Sequence, residues 1–471
     1  MRALVIIWGC LAAACACEGR TITVDADGPA DFNNIQAAIN DANEGDTIIV
    51  AEGRYYENIN FGGKDIVLRS SDPMDAFVVE ATVIDGRFLD SVVMFAGTES
   101  PACIFSGFTI TNGVGHEVPI GTNSYGGGVY GNGTLASVER NVISHNWATS
   151  RSPIPGGFGG GLYDCDGSIR YNVIRKNKAR GDMGYAYGGG LYGCDGLIQD
   201  NVIVGNYSYG AGGGLSDCHG TVENNIVTEN NSYIYGGGLD SCNGLIQDNL
   251  IAGNYSSWGG GLSHCFGTIE RNIIVGNGAE EGGGMCIGKY GSAAIPSVVN
   301  CTIAGNSAHR GGGVCVSYVD AVLENSILWG NPSDEIYLVS ATMTLKYCDI
   351  RGGSAGTGNM DADPCFADPN NGDYHLKSQA GRWDANEGGW TIDDVTSPCI
   401  DAGGPMSAIG LEPFPNGGIV NMGAYGGTAE ASRSYFAEPV CETIVAGDVN
   451  GDCKVNFLDF RIMALHWLEG R

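Results

Sequence analysis

Five consecutive copies of one short pattern constrain this chain more than any other feature. They open at Gly159, Gly188, Gly212, Gly236 and Gly259 and read GGGLYDCDGSIRYNVIRKN, GGGLYGCDGLIQDNVIVGN, GGGLSDCHGTVENNIVTEN, GGGLDSCNGLIQDNLIAGN and GGGLSHCFGTIERNIIVGN. Looser copies open at Gly126, Gly282 and Gly311, and the spacing is 23 or 24 residues where no loop intervenes. A fixed period of this length is the signature of a solenoid. A leucine-rich repeat and a parallel β-helix both fit the period. Each copy holds only short apolar pairs, such as Val173-Ile174, Val202-Ile203 and Ile226-Val227, mostly β-branched and bounded by Gly or Asn. That pattern suits strands and leaves no run long enough for a helix. The expected fold is an all-β solenoid, a right-handed parallel β-helix with one coil of three short strands per repeat. Coils stacked at about 4.8 Å would share one apolar core of Leu, Ile and Val.

Stacking turns recurring residues into columns. Asn172, Asn201, Asn225, Asn249 and Asn272 form one, and Asn177, Asn206, Asn230, Asn254 and Asn277 a second. Stacked amides can bond one another and the turn backbone, and each group left unpaired would cost about 1–3 kcal/mol. Asn206-Tyr-Ser208 and Asn254-Tyr-Ser256 also match a glycosylation acceptor, but the repeat accounts for these Asn. Cys165, Cys194, Cys218, Cys242 and Cys265 form a third column. An inward stack of small apolar side chains is the preferred reading. Neighbouring disulfides would leave one thiol over, and no His joins the column to suggest metal.

The net charge of −29 argues against nucleic acid and anionic membrane surfaces as partners, and against polyanionic sugars unless a cation bridges. Arg2, the apolar run Ala3 to Ala14 and Ala14-Cys15-Ala16 read as a secretory signal peptide over 1–17. A lipidated Cys15 or Cys17 is the alternative. No later stretch is long enough to span a membrane, so the expected location is secreted or cell-surface. Export permits disulfides, with Cys365–Cys399 and Cys441–Cys453 as the pairs to test.

Thr21 to Asp27 is expected as a strand. Asp31 would cap a helix whose Ile35, Ala38, Ile39 and Ala42 share one face, with Gly45 ending it. Such a helix would cover the open solenoid end. TIIVAEGRYYENINF and KDIVLRSS follow as the first coil. This opening resembles the start of pectin-lyase-like proteins. GFTITNG at 107–113, with the Gly triplets and the N-x-I-x-x-N pattern, resembles the repeats of secreted bacterial β-helix proteins. The resemblance covers about residues 21–350 and implies the fold. It leaves the activity open, because the fold carries lyases, hydrolases, esterases, binders and adhesins. The solenoid is expected over 18–350. Residues 351–440 are turn-rich and read as the last coils plus a C-terminal cap, with Trp383 and Trp390 packed in it.

Over 441–471 the chain reads DVNGDCKVNFLD from Asp448, placing Asp448, Asn450, Asp452, Asn456 and Asp459 at positions 1, 3, 5, 9 and 12 of an EF-hand-like loop, with the Lys454 carbonyl at position 7. Hard oxygen ligands at this spacing wrap Ca²⁺, and Phe457 to Leu468 supplies the following helix. The pattern is similar to one segment of a dockerin, which implies a cohesin-like partner. It departs in having one segment rather than two, and Cys453 in place of Gly at position 6.

Aromatic residues precede each Gly triplet: Trp147, Tyr185, Tyr187, Tyr207, Tyr209, Tyr233, Tyr235, Tyr255 and Trp258. Stacked coils would align them along one edge, as a platform for sugar rings or as loop packed on loop. Asp166 and Asp195, one coil apart, are candidate acid and base for glycoside cleavage, which needs carboxyls about 5–9.5 Å apart. Asp beside Gly is better explained by turn chemistry. Arg170, Arg175, Lys176, Lys178 and Arg180 are the basic cluster of the repeats, able to neutralise a uronate or to form a solvated coil edge. The paired-Asp signature of polygalacturonases is missing, and the seven His lack metal spacing. These residues point to an exported carbohydrate-active protein that binds a polysaccharide along the β-helix and is anchored by a calcium-binding tail. Cleavage, as a polysaccharide lyase or glycoside hydrolase, is left open. A non-catalytic surface or adhesive β-helix protein is the alternative.

Overall fold

A computed structural model describes residues 19–118, 123–149, 156–181, 185–288, 295–436, 447, 449 and 455–466. The expected signal peptide, Cys441, Cys453 and calcium-loop residues Asp448, Asn450, Asp452 and Lys454 lie outside these. The coil that opens at Gly159 illustrates the architecture. Its strands are Leu162–Cys165, Ile169–Arg170 and Val173–Arg175. Each pairs in parallel with its equivalent one coil away, giving a first sheet of 11 strands, a second of 13 and a third of 12 among the described residues. Register is strict: Leu162 lies opposite Leu191, Leu191 opposite Leu215, and Leu215 opposite Leu239. The chain is therefore a parallel β-solenoid. Along each strand alternate side chains face in, so Leu162, Ile169, Ile174 and their equivalents are fully buried in one continuous core.

The expected coil of three strands is incomplete. Lys178–Arg180 and Ala186–Tyr187 add an outgoing and a returning strand, each in its own four-stranded sheet. They lie back to back with small residues between, and Ser208 Oγ donates to Ala186 O across the gap at 2.7 Å. The result is a thin rib at the corner between third and first sheets. The Gly triplet forms its neck. Its first member takes a left-handed turn, as in Gly159 (φ +66°) and Gly188 (φ +65°). A Cβ on the second, Gly160, would sit 2.5 Å from both Gly189 O and Lys178 C. The coil closes on itself there with backbone against backbone, which only Gly permits.

Both Asn columns are buried ladders. Asn201 Oδ1 accepts from Asn172 N and Nδ2 at 2.9 and 3.0 Å, while its own Nδ2 donates to Ile169 O and Asn225 Oδ1 at 2.8 and 3.0 Å. Every polar atom of the amide is thereby paired. The second ladder is longer, from Asn146 through Asn306 to Asn331. The first meets Cys301 and then Ser326 where Asn would recur, and Cys301 N donates to Ser326 Oγ. The five-Cys column is buried and free, each Sγ bonded to the carbonyl two residues back, as Cys194 to Tyr192 O at 3.6 Å. Burial with thiol neighbours drives the thiols of Cys165, Cys194, Cys218 and Cys242 well above their ordinary range.

At the N-terminus, the first strand is Thr21–Val24 and helix α1 is Ile35–Asp41, with Ile35, Ala38 and Ile39 buried. Its N-cap is Asn34 rather than the expected Asp31, whose carboxylate accepts from Thr23 instead. Glu57 accepts the Ile35 and Gln36 amides and completes the first turn.

Residues 351–436 only begin as a further coil, through bridges from Lys346 to Thr357 and from Asp349 to Met360. The chain then folds back along the outer face of the third sheet. There Tyr374, Phe366 and Tyr425 cover the outward Leu250, Ala252, Ile273, Val275 and Ala304. Asn300 Nδ2 and Thr302 Oγ1 bond the backbone at Asn421 and Ala424. This segment is thus a side wall as much as an end cap. Cys365 and Cys399 are free rather than joined, and Cys399 Sγ donates to Asp349 Oδ2 at 3.1 Å.

Two predictions follow from this packing. Asn230→Ala orphans buried amides in two coils and should lower stability by about 1–3 kcal/mol in chemical denaturation. Exposed Tyr233→Ala should stay within about 0.5 kcal/mol, and an equal loss from both would deny the ladder its role. Burial holds the Glu412 carboxyl up to about 7 although Asn421 and Gly427 amides donate to it. The folded chain then keeps a proton that the unfolded chain loses near pH 4.3. Stability should be full below that pH, fall by up to about 3 kcal/mol as pH rises to 7, and level off above. Glu412→Gln should flatten that pH profile.

Candidate functional site

The left-handed glycine at each neck turns the returning strand of the rib toward the first sheet. A Cβ on Gly188 would lie 2.7 Å from Tyr192 Cβ. Outward residues of the two strands therefore face each other across a concave corner, repeated coil after coil. On the rib side the column runs Tyr125, Phe158, Tyr187, Ala211, Tyr235, Trp258, Glu281 and Arg310. On the first-sheet side it runs Tyr130, Tyr163, Tyr192, Ser216, Asp240, Ser263 and Cys286. The product is a groove parallel to the solenoid axis.

Its upper half is aromatic on both walls. Tyr130, Tyr163 and Tyr192 stack at 5.7 and 5.9 Å, and Tyr125, Phe158 and Tyr187 stack at 5.3 and 5.6 Å. Rings also meet across the groove, Tyr125 with Tyr163 at 4.7 Å and Phe158 with Tyr192 at 5.2 Å. Burial, then the charges of Asp164 and Asp217 respectively, push the Tyr163 and Tyr192 hydroxyls upward, so both stay neutral donors. Ala211 and Ser216 interrupt the stack with small side chains.

Below that gap lies a cavity of about 340 Å³ lined by Tyr235, Trp258, His264, Glu281, Cys286, Arg310 and Tyr337 among others. Tyr235 and Trp258 are 5.4 Å apart, and Tyr235 meets His264 edge-on at 4.8 Å. His264 occupies a left-handed turn (φ +50°) on the cavity wall. Its Nδ1 lies 3.1 Å from Asp240 Oδ1 and 2.9 Å from Ser263 Oγ, and Ser241 Oγ donates to Asp240 Oδ2 at 2.9 Å. Asp240 and His264 are both buried. A proton on Nδ1 satisfies both acceptors, which fixes the ring and leaves Nε2 as its basic atom. Ser263 shares Nδ1 with Asp240, so this is not the nucleophile–base arrangement of acyl transfer. It is an oriented imidazole suited to proton transfer. Arg310 lies opposite, 3.5 Å from Glu281 and 3.3 Å from the Tyr337 hydroxyl.

The aromatic residues expected along one edge are divided between two faces. Tyr187, Tyr235 and Trp258 line the groove. Tyr207 and Tyr255 belong to the outgoing column on the opposite face of the rib, two coils apart with Asn231 between them. Tyr209 packs on Tyr207 at 5.0 Å there, and Tyr185 and Tyr233 are exposed near the rib edge. Asp166 and Asp195 lie elsewhere, at the corner between first and second sheets. Asp166 Oδ1 accepts Asp195 N at 3.0 Å, and Asp195 Oδ1 accepts His219 N at 2.7 Å. Their carboxylates thus serve turn amides of the next coil. Asp240 and His264 lie beside the aromatics of their repeats with no local motif that pairs them. Their meeting depends on the one-coil register, which brings residues 24 apart side by side.

In the tail, Asn456 and Asp459 are described. Asp459 is buried in the first turn of helix α2, Phe457–His466, and its two oxygens accept Val449 and Asn456 amides at 2.7 Å each. Ile462 docks the helix on Gly418, where a Cβ would come within 2.3 Å of it. Among the described residues no three His, Cys, Asp or Glu cluster as metal ligands, and no helix is long and apolar enough to cross a membrane.

A family model described as "Disaggregatase related" matches residues 346–403, the start of the folded-back segment. No curated protein matches the chain. Among solved structures, the crystal structure of pectate lyase Pel9A aligns over 88% of this chain and 96% of that chain, at 14% identity and a TM-score of 0.36. The parallel solenoid itself rests on the strand pairing described above.

Proposed function

We propose that this is an exported carbohydrate-active β-solenoid that binds a polysaccharide lengthwise in the groove between rib and first sheet. The observation that carries this reading is the pair of facing aromatic columns at one-coil spacing. Rings repeated every 5.3 to 5.9 Å suit successive sugar units, whose apolar faces pack over the exposed ring edges while hydroxyls reach the polar tips of Tyr and Trp. The gap at Ala211 and Ser216 admits a bulkier group between the two aromatic stretches.

Cleavage is the second reading, and the buried Asp240–His264 pair favours it. A sugar chain running down the groove passes the cavity wall where Nε2 could take or give a proton. Tyr187→Ala and Tyr235→Ala should each weaken retention in affinity electrophoresis across a panel of neutral polysaccharides, by about tenfold for a stacked ring. Unchanged retention of both variants would reject the groove. On whichever glycan is retained, new reducing ends or unsaturated products that vanish in His264→Gln would support cleavage. Retention without product would leave a binding or adhesive protein.

The tail completes the reading. Its donor set, Asp448, Asn450, Asp452, Asn456 and Asp459 side chains with the Lys454 carbonyl, is all oxygen and fits Ca²⁺. Bound calcium would tie the loop to the first turn of α2 and present that helix to a cohesin-like or surface partner. The full chain should bind Ca²⁺ in calorimetry and lose one site in Asp448→Ala. No binding at millimolar Ca²⁺ would refute the site.

A further inference from the structure

The rib face turned away from the groove carries a cluster of cations on a chain of net charge −29. In the coil at 172–180, Asn-Val-Ile-Arg-Lys-Asn-Lys-Ala-Arg places Arg175, Lys176, Lys178 and Arg180 on the third sheet and outgoing strand, and the last three are exposed. The equivalent stretches one coil away on either side, 141–149 and 201–209, contain no Asp or Glu. Among the described residues, the salt bridges of this region tie Arg140 and Arg170 to Glu139 on the second sheet. Among the described residues, no carboxylate lies within bridging distance of any of these four cations. Arg175 Nε is buried without a hydrogen-bond partner. The field is felt next door: burial first, then Lys176, Arg175 and Lys178, hold the His145 imidazole below its ordinary value.

We propose that this face is a second carbohydrate surface, specific for an acidic polysaccharide that bears carboxylate or sulfate groups and crosses the rib at the coil of Lys178. Aromatic rings flank the cations in register. Trp147 lies opposite Lys178, which lies opposite Tyr207. Lys178 Nζ is 5.6 Å from the Trp147 ring and Arg180 is 5.8 Å from the Tyr209 ring. The cations engage acidic groups while Trp147 and Tyr209, both substantially exposed, stack on the sugar between them. Lys178 and Arg180 project from one face two residues apart, about 6.6 Å along a strand. That spacing is of the order of one sugar unit. The overall charge of −29 does not forbid this contact. Salt screens charges beyond about 8–10 Å, so the local cluster decides what binds at contact distance.

This inference is independent of the groove, and its test separates the two. Full-length protein is run against immobilised polygalacturonate, dextran sulfate, unsulfated dextran and duplex DNA. Retention on both acidic glycans is expected at low salt and lost by about 0.5 M. The double variant Lys176→Glu/Lys178→Glu should weaken it at least about tenfold, with an unchanged circular dichroism spectrum. Trp147→Ala should weaken it as well, and Tyr235→Ala should not. Wild-type retention in the double variant, equal retention on DNA, or none on either acidic glycan would each overturn the proposal.

Discussion

Everything in this molecule depends on each coil using the next as its hydrogen-bond partner. Backbone pairing in three long parallel sheets sets the strand-width step between coils, and the Asn ladders lock two corners to it. A buried amide that accepts from one neighbouring coil and donates to both neighbours penalises any slip in register, because a slip would orphan several groups at once. The consequence is positional. A residue in one repeat is held beside its equivalent in the next, so a surface property written once per repeat becomes a continuous stripe.

Two stripes of opposite character arise from one backbone device. The Gly triplet lets the coil close with backbone touching backbone and ejects the remaining chain as a rib. The returning strand then faces the first sheet across the left-handed glycine and makes an aromatic groove. The outgoing strand faces the other way and carries cations between rings. Where copies of the pattern lose their inserted loops, the rib shortens to a tight turn. The groove persists, because the glycine and its neighbours remain. Below the aromatic stretch the same columns carry Asp240, His264, Glu281 and Arg310, so the chemistry of the groove changes along its length while its geometry does not.

Much of the fold was legible in the sequence because period and columns are one-dimensional properties. The Asn and Cys alignments, the buried Leu positions and the apolar face of α1 could all be read by counting. Direction was harder. Tyr187 and Tyr207 both lie shortly before a Gly triplet, yet they point to opposite faces of the rib, and only the fold of the neck separates them. Asp166 looked like Asp240 on paper. One spends its carboxylate on a turn amide and the other on an imidazole one coil away. The segment after Ile350 lacks a repeat, so its return along the third sheet was hidden. Its cover over Leu250, Ile273, Val275 and Ala304 left no distinctive signal, because the equivalent outward positions of earlier coils include Val173, Val202, Val204 and Ile226.

The direct test is a distance along the stack. Leu135, Asp166, Asp195, His219 and Asn243 occupy successive equivalent corners, and Leu135 and Asn243 are both exposed. Spin labels attached through azido side chains at these two sites leave the native thiols untouched. Dipolar spectroscopy should give one narrow distribution centred near 19 Å, four coil steps of about 4.8 Å. A broad distribution, or a mean displaced by several coil steps, would contradict the stacked register and with it both carbohydrate surfaces.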